Sequence, residues 1–322
     1  VIDVLAAEGH FVDHLAPVWL ALPEEQRGAF HYIGRGHDRD LPGWRRDLPK
    51  PSESKHTLVA SAGDLIRARH LRRPTAIMEH GCGQSFGGDP KSATHSSYAG
   101  GRNRDAQLFL HPGPHPAGRD RRAYPAARVE VVGCAKLDTL PRKKRGRTPV
   151  VAIGFHWDCR VCRETRSAHM EFGRMLNQLT DRMEVIGTGH PRIIDKLASS
   201  YRLHGIEVVK PWEEVCRRAD VYINDASSTL FEFASTGRPV VVMNPPWYRR
   251  NINHGLRFWD AATVGVQVTP QGSLVEAVHE ALEECPPQIA AREAALDLVY
   301  DRRPGAAQRA ADVLVDWCAT TS

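Results

Sequence analysis

Two stretches of this chain bring polar, chemically capable residues to the edge of a buried strand. The first is VYINDASSTLFEFASTGRPVVVMNPP, residues 221 to 246. Val221 to Ile223 is apolar enough for a buried strand, and Asn224 to Ser228 forms a polar turn. Thr229 to Thr236 reads as a helix stopped by Gly237, and Pro239 to Met243 as a second buried strand. The turn sets an acid and neighbouring hydroxyls at a helix N-terminus, where unpaired backbone N–H groups and the helix dipole favour a phosphate. Capping accounts for one of Asp225, Ser227 and Ser228, and less well for the whole cluster. Ser227, Ser228 and Thr229 are therefore expected to hydrogen-bond a phosphate or the phosphates of a nucleotide. Asp225 belongs to the same phosphate-binding turn and is expected to orient it, because two negative charges repel.

The second stretch is MEHGCGQ, residues 78 to 84. His80 follows the probable strand PTAIME, and Gly81 and Gly83 let a substrate approach the backbone. A histidine in that position can take the proton of an attacking hydroxyl. Gly81 and Gln84 are expected beside the acceptor. Glu79 points to the opposite face if the strand continues, and is the weaker base. A third histidine, His190, sits in GTGHP after the strand MEVIG, with Pro191 placed to open a helix. Its imidazole can stabilise charge on a departing diphosphate. Gly154 and Trp157, with His156, follow the strand PVVAIGF and are assigned to the donor side; packing is an equal reading for Trp157.

Three further patterns carry little. Cys159 and Cys162 form a Cys-x-x-Cys without a second pair, so no metal site is expected. Asp38 and Asp40 read as a polar loop. Gly187 to Gly189 does not complete a dinucleotide fingerprint, which argues against NAD.

These residues need strands to carry them, and short Val/Ile/Leu-rich strands alternate with helix-length segments throughout. VIDVLA, a helix from Asp13 to about Leu22, Phe30 to Ile33, HTLVAS, LIRARHL, PTAIME, AQLFLHPG and VEVVG make up the first half. PVVAIGF restarts the pattern, followed by a helix from about Glu164 to Leu179, MEVIG, RIIDKLASSYRLHG, IEVVK, EEVCRRA, VYIND and PVVVMN. The helical SLVEAVHEALEE and AAQRAADVLVDW close the chain. This is the signature of α/β architecture with parallel sheets covered on both faces. At 322 residues two domains are expected, 1–147 for the acceptor and 148–322 for the donor, facing across a cleft. The terminal helix is free to pack back on the first.

Hydrophobic residues at 42% and charged residues at 25% fit a soluble protein, and no run of about 18 apolar residues suggests a membrane span or a signal peptide. Seven cysteines without framework spacing fit a reducing compartment, hence a cytoplasmic location. The net charge of +5 is concentrated in RRDLPK, RARHLRR, GRDRR and PRKKRGR. Such clusters suit an anionic acceptor, a membrane surface or nucleic acid, or else a solvated linker.

Five motifs together resemble the GT-B glycosyltransferase architecture, and within it the CDP-glycerol glycerophosphotransferase family of teichoic acid polymerases. They are MEHGCGQ, VVGCAKLDTL (Val131 to Leu140), GTGHPR (Gly187 to Arg192), NDASSTLFEFASTGRPVV and YDRRPGAAQRAADVL, spanning about residues 78 to 315. UDP-N-acetylglucosamine 2-epimerases share the general shape. The resemblance implies that two Rossmann-like domains hold a nucleotide-activated donor, UDP- or CDP-linked, on His190 and the Asp225 to Glu232 turn. It also implies that Glu232 binds the ribose hydroxyls and that His80 is the general base. Where the family continues its first motif with threonine, proline and lysine, this chain has Cys82, Gly83 and Gln84. A nucleotide-sugar donor therefore stands beside glycerol phosphate.

The expected activity is metal-independent transfer of a glycosyl or glycerophosphoryl group to a hydroxyl acceptor, with no cofactor besides the donor. An anionic acceptor (a polymer, a lipid-linked chain or a nucleic acid) fits the basic clusters. Direct displacement on a sugar would invert its anomeric carbon. Two alternatives remain: an epimerase acting on UDP-N-acetylglucosamine alone, and a non-catalytic anion- or nucleic-acid-binding protein on a degenerate transferase fold.

Overall fold

Strand and helix alternate along the chain because the central strands are apolar on both faces and the helices between them are apolar on one. The computed structural model describes residues 1–36, 38–51, 54–82, 105–141, 148–158, 166–225, 227–247 and 261–321. Gln84, the Cys159 and Cys162 pair, most of the 81–101 loop and the basic run 142–147 lie outside them, as does Arg249, which with Arg238 is a candidate by position to neutralise phosphate.

One compact unit comprises the described residues up to Thr139 together with those from Val299 onward. Its elements are β1 (Ile2–Ala6), α1 (Gly9–Ala21), β2 (Arg27–Tyr32), β3 (Trp44–Arg45), β4 (His56–Val59), α2 (Ala62–Ala68), β5 (Thr75–Met78), β6 (Leu108–His111), α3 (Pro114–Ala123) and β7 (Arg128–Val131). The sheet runs β3-β2-β1-β4-β5-β6-β7, parallel throughout. Strand order reverses between β1 and β4. In such sheets that reversal opens a crevice at the carboxyl ends of the strands, where ligands bind.

The second unit spans the described residues from Leu140 to Leu298. It contains β8 (Val150–Phe155), α4 (His169–Phe172), α5 (Leu176–Thr180), β9 (Glu184–Gly189), α6 (Ile194–Leu203), β10 (Glu207–Val208), α7 (Trp212–Arg218), β11 (Val221–Asn224), α8 (Thr229–Ala234), β12 (Val240–Met243), β13 (Val266–Val268), α9 (Leu274–Glu283) and most of α10 (Pro286–Val299). Its parallel sheet runs β10-β9-β8-β11-β12-β13, with the reversal between β8 and β11. The last helix, α11 (Ala306–Thr320), packs in the first unit.

Burial follows the strand pattern. Val151, Ile153 and Phe155 of β8 are fully buried, and Leu176, Tyr201 and Leu274 from the covering helices close over one face of that sheet. In the first unit Trp19, Phe30 and Leu314 share one core with Ile2 and Val4. Each such side chain contributes about 1.5–3 kcal/mol relative to exposure.

The closing segment is fastened by residues far away in sequence. Asp138 accepts the backbone N–H groups of Gly305 (3.2 Å) and Ala307 (2.9 Å), capping α11. Gly133, at φ +84°, sits where a side chain would meet Ala306 Cβ and the Asp301 carbonyl at 2.9 Å. Two motifs read separately in the sequence, VVGCAKLDTL and YDRRPGAAQRAADVL, therefore form one junction.

Several boundaries differ from the sequence expectation. Helix α1 begins at Gly9, four residues before Asp13, which adds His10 to the helix that carries His14. Where one helix was expected over 164–179, the described residues form a pair of short helices, α4 and α5, joined by a 3-10 turn at Gly173–Met175. Helix α6 begins at Ile194, so Pro191 lies in the preceding turn and not at the first helical position. The edge strands β3 and β13 and helix α10 had no visible period.

Candidate active site

At the carboxyl edge of the first sheet, β5 ends at Met78 and delivers His80 beside the β1–α1 junction. Nδ1 of His80 lies 2.5 Å from the Ala60 carbonyl, just past the end of β4. A carbonyl can only accept, so Nδ1 carries a proton, and in the neutral ring Nε2 then holds the lone pair. That is the tautomer a general base needs. Gly81 follows at φ +112°, a conformation glycine adopts at little cost.

The ring of His80 packs against α1. Its centroid is 4.4 Å from Phe11, 5.6 Å from His10 and 6.4 Å from His14. His10 and His14 are one helical turn apart and so share a face. His14 is buried, with its Nδ1 3.8 Å from the Cys134 sulfur. Burial, reinforced by Lys136 and the two neighbouring imidazoles, pushes its pKa well below the ordinary value, so it is neutral. Sequence reasoning missed His10 because it started α1 too late, and His14, although inside the expected helix, was not singled out. The i, i+4 histidine spacing was the signal available.

Glu79 is turned away from this cluster and serves another partner. Its carboxylate lies 2.8 Å from Nδ1 of His111, and Asp120 lies 2.9 Å from Nε2 on the other side. All three are buried. Burial opposes the imidazolium, but the hydrogen bonds and charges of Asp120 and Glu79 outweigh it and raise the His111 pKa to about 9. This buried trio was not visible in the sequence, since its members are scattered over the residue after β5, the end of β6 and α3.

In the second unit the reversal between β8 and β11 is laced together by Asp225. The fully buried carboxylate accepts the backbone N–H of His156 (2.7 Å) and of Ala168 (2.8 Å). It thereby fixes the ends of β8, β11 and the lead-in to α4, and both its oxygens face protein backbone. Ser227 Oγ accepts the backbone N–H of Thr229 at 3.3 Å, and Ser228 precedes the first residue of α8. The Thr229 hydroxyl lies 3.0 Å from the Tyr222 hydroxyl, which also accepts from Asn224 Nδ2 at 2.7 Å. Glu232 is buried within α8. Gly154 lies inside β8, where a Cβ would meet the Tyr222 hydroxyl at 2.8 Å and Asn224 Nδ2 at 2.9 Å. The glycine admits the tyrosine that supports Thr229.

His190 directly follows β9. Its Nδ1 accepts the backbone N–H of Arg192 at 3.1 Å, so the neutral ring carries its proton on Nε2. The ring lies 5.3 Å from His156 and 5.9 Å from Trp157, and the Arg192 guanidinium lies 4.5 Å over the Trp157 indole. A second arginine, Arg166, covers Trp247 at 4.1 Å. The structure thus gathers Trp157, His156 and His190 at one edge of β8 and β9, with Asp225 beneath. Arg238, another candidate phosphate ligand by position, is buried and donates to the carbonyls of Cys216 (2.6 Å) and Ala219 (2.5 Å) at the end of α7.

Among the described residues no group of three or more histidines, cysteines or acids is placed to hold a metal ion. No described helix is long and apolar enough to cross a membrane.

Comparison with known proteins agrees with this layout. Residues 157–315 match the family model of CDP-glycerol:poly(glycerophosphate) glycerophosphotransferase. No curated protein matches by sequence. Among solved structures, the wall teichoic acid polymerase TagF is similar with a TM-score of 0.62 at 13% identity, over 99% of this chain and 89% of that one. The UDP-GlcNAc 2-epimerase of Neisseria meningitidis, bound to UDP-GlcNAc, is similar with a TM-score of 0.57 at 11% identity, over 99% of each chain. S. aureus MnaA, solved with UDP, is similar with a TM-score of 0.55 at 13% identity, over 99% of this chain and 96% of that one. At such identities the structural likenesses establish the shared GT-B fold, and the family match covers the half of the chain that carries Trp157, His190 and the Asp225 to Glu232 turn. On both grounds the chain is a glycerophosphotransferase-like transferase of GT-B fold.

Proposed function

We propose that this transferase moves a glycerophosphoryl or glycosyl group from a CDP- or UDP-activated donor to a hydroxyl acceptor, with His80 as general base and without a metal ion. The observation that carries this reading is the opposite tautomer of its two site histidines. His80 presents a lone pair at Nε2, and His190 presents a proton there. The first can remove the acceptor proton as the oxygen attacks. The second can donate to a phosphate oxygen as negative charge builds on the leaving nucleotide. For a glycerophosphoryl donor the attacking oxygen forms a bond to phosphorus and the nucleoside monophosphate departs. For a sugar donor it forms a bond to the anomeric carbon with inversion, and the nucleoside diphosphate departs.

Ser227, Ser228 and Thr229 belong in this reading to the diphosphate-binding turn, Glu232 to the ribose, and Gly81 and Gln84 to the acceptor side. The 1–147 and 148–322 segments would divide acceptor from donor binding, with α11 returned to the first. The epimerase reading is favoured by the fold of the two UDP-related neighbours. In this chain, however, Glu79 and Asp120 are both committed to His111 and are not offered to a sugar.

Incubation with CDP-glycerol or UDP-sugars, with and without hydroxyl acceptors, tests both readings. Acceptor-dependent release of nucleotide that persists in EDTA and is abolished in His80→Ala is the expected result. Turnover of UDP-N-acetylglucosamine without an acceptor would replace it with the epimerase.

A further inference from the structure

We infer that Arg192, held on the face of Trp157, is a ligand for the donor diphosphate. The inference rests on the donor site proposed above and adds to it a charged residue and a role for the indole.

The chemistry of the site calls for a cation. A nucleoside diphosphate brings two or more negative charges, and the neutral His190 ring offers one hydrogen bond but no charge. Asp225, in the same turn, is itself an anion, and its carboxylate is directed at the backbone N–H groups of His156 and Ala168. An arginine supplies a fixed charge and a planar fork of donors suited to phosphate oxygens.

Arg192 is the arginine whose placement is coupled to His190. Its backbone N–H sets the His190 tautomer. The backbone N–H groups of Ile193 (2.9 Å) and Ile194 (3.1 Å) both close on the His190 carbonyl, so residues 190 to 194 form one tight turn. From that turn the guanidinium extends over Trp157, 4.5 Å from the ring, while the same indole lies 5.9 Å from the His190 ring. Trp157 follows β8, and His190 follows β9. An exposed arginine ordinarily samples many rotamers and loses that freedom on binding. Laid on an aromatic face it is ordered beforehand. In this account Trp157 is a positioning residue that acts through Arg192, which differs from stacking a nucleobase.

Equilibrium binding of UDP, UMP, CDP and CMP to the full chain tests the assignment, with variants R192A, R192K, W157L, W157F and, as a control for loss of one surface charge, R202A. Arg202 is exposed on α6. Wild type is expected to prefer a diphosphate over the matching monophosphate. R192A should lose roughly 10- to 100-fold in diphosphate affinity and much less for the monophosphate, the range of a charge-assisted hydrogen bond. W157L should lose part of the same preference, and R192K and W157F should each recover some of it. R202A should behave as wild type. Equal loss for diphosphate and monophosphate in R192A, or no loss, overturns the assignment while leaving the donor site standing. Wild type that binds none of the four nucleotides overturns the donor site and this inference with it.

Discussion

The backbone N–H of Arg192 points at Nδ1 of His190, whereas Nδ1 of His80 points at the Ala60 carbonyl. His190 is thus set as a donor at Nε2, and the neutral form of His80 as an acceptor there. The difference comes from the backbone beside each ring: a turn N–H in one case and the carbonyl past a strand end in the other.

The two histidines should therefore fail differently when removed. His80→Ala is expected to lower kcat by about 10²- to 10⁴-fold, the usual contribution of a general base, with nucleotide affinity little changed. His190→Ala should weaken nucleotide binding as well as turnover. His190→Gln should retain some of the binding, because an amide N–H can reach the place of Nε2–H. Steady-state rates beside calorimetric nucleotide affinities separate these outcomes. Strong loss of nucleotide binding in His80→Ala would put that ring in the wrong role.

The Glu79–His111–Asp120 trio predicts an alkaline loss of stability. His111 has its folded-state pKa raised from 6.5 to about 9. Its contribution is complete below the unfolded value near 6.5 and is lost as pH rises through about 9. Thermal melts from pH 6 to 10 should show a falling Tm over that window. His111→Leu alone leaves two buried carboxylates without their partner and should cost about 3–5 kcal/mol. The triple variant E79Q/H111L/D120N should recover much of this and show a flatter profile. A wild-type Tm independent of pH between 6.5 and 9.5 would contradict the buried imidazolium.

The alternation of strands and helices was legible because parallel strands buried on both faces leave unbroken apolar runs such as VVAIGF and VVVM. The turn at Asn224 to Ser228 was legible for a related reason: polar residues between two such runs have few places to go. The orientation of its side chains was not. Asp225 stands in an exposed-looking sequence, yet it is fully buried, because the N–H groups it satisfies belong to residues 57 and 69 positions away. His14 and His111 stayed hidden likewise, since their partners come from other elements.

Asp225→Asn provides a direct measure of that lacing. The carboxylate uses one oxygen for His156 N–H and the other for Ala168 N–H. An asparagine has one acceptor, and its NH₂ must face the remaining N–H. The unsatisfied donor and the lost charge-assisted bond should together cost about 1–3 kcal/mol. Because both N–H groups belong to loops around the proposed donor site, nucleotide affinity should fall together with Tm. Unchanged melting would mean that the two loops are held by something else.

Gly154 couples β8 to the proposed donor turn through Tyr222, and a double-mutant cycle can expose the coupling. In Gly154→Ala the new Cβ falls 2.8 Å from the Tyr222 hydroxyl and 2.9 Å from Asn224 Nδ2. Neither atom can yield easily, since the hydroxyl is buried and bonded to both Thr229 and Asn224. The expected cost is about 1–3 kcal/mol of stability, as for other overpacked cores. Nucleotide affinity should also weaken, because displacing the hydroxyl releases Thr229. Tyr222→Phe alone removes the hydroxyl and leaves Asn224 Nδ2 and the Thr229 hydroxyl without it, so it too should destabilise. In the double variant the clash with the hydroxyl no longer exists, and the remaining contact with Asn224 is relieved once that amide is unbound. The two penalties should therefore sum to more than the double variant shows, by at least about 0.5 kcal/mol. Strict additivity would mean that the alanine is accommodated without moving Tyr222, and that the glycine serves the donor turn by some route other than this tyrosine.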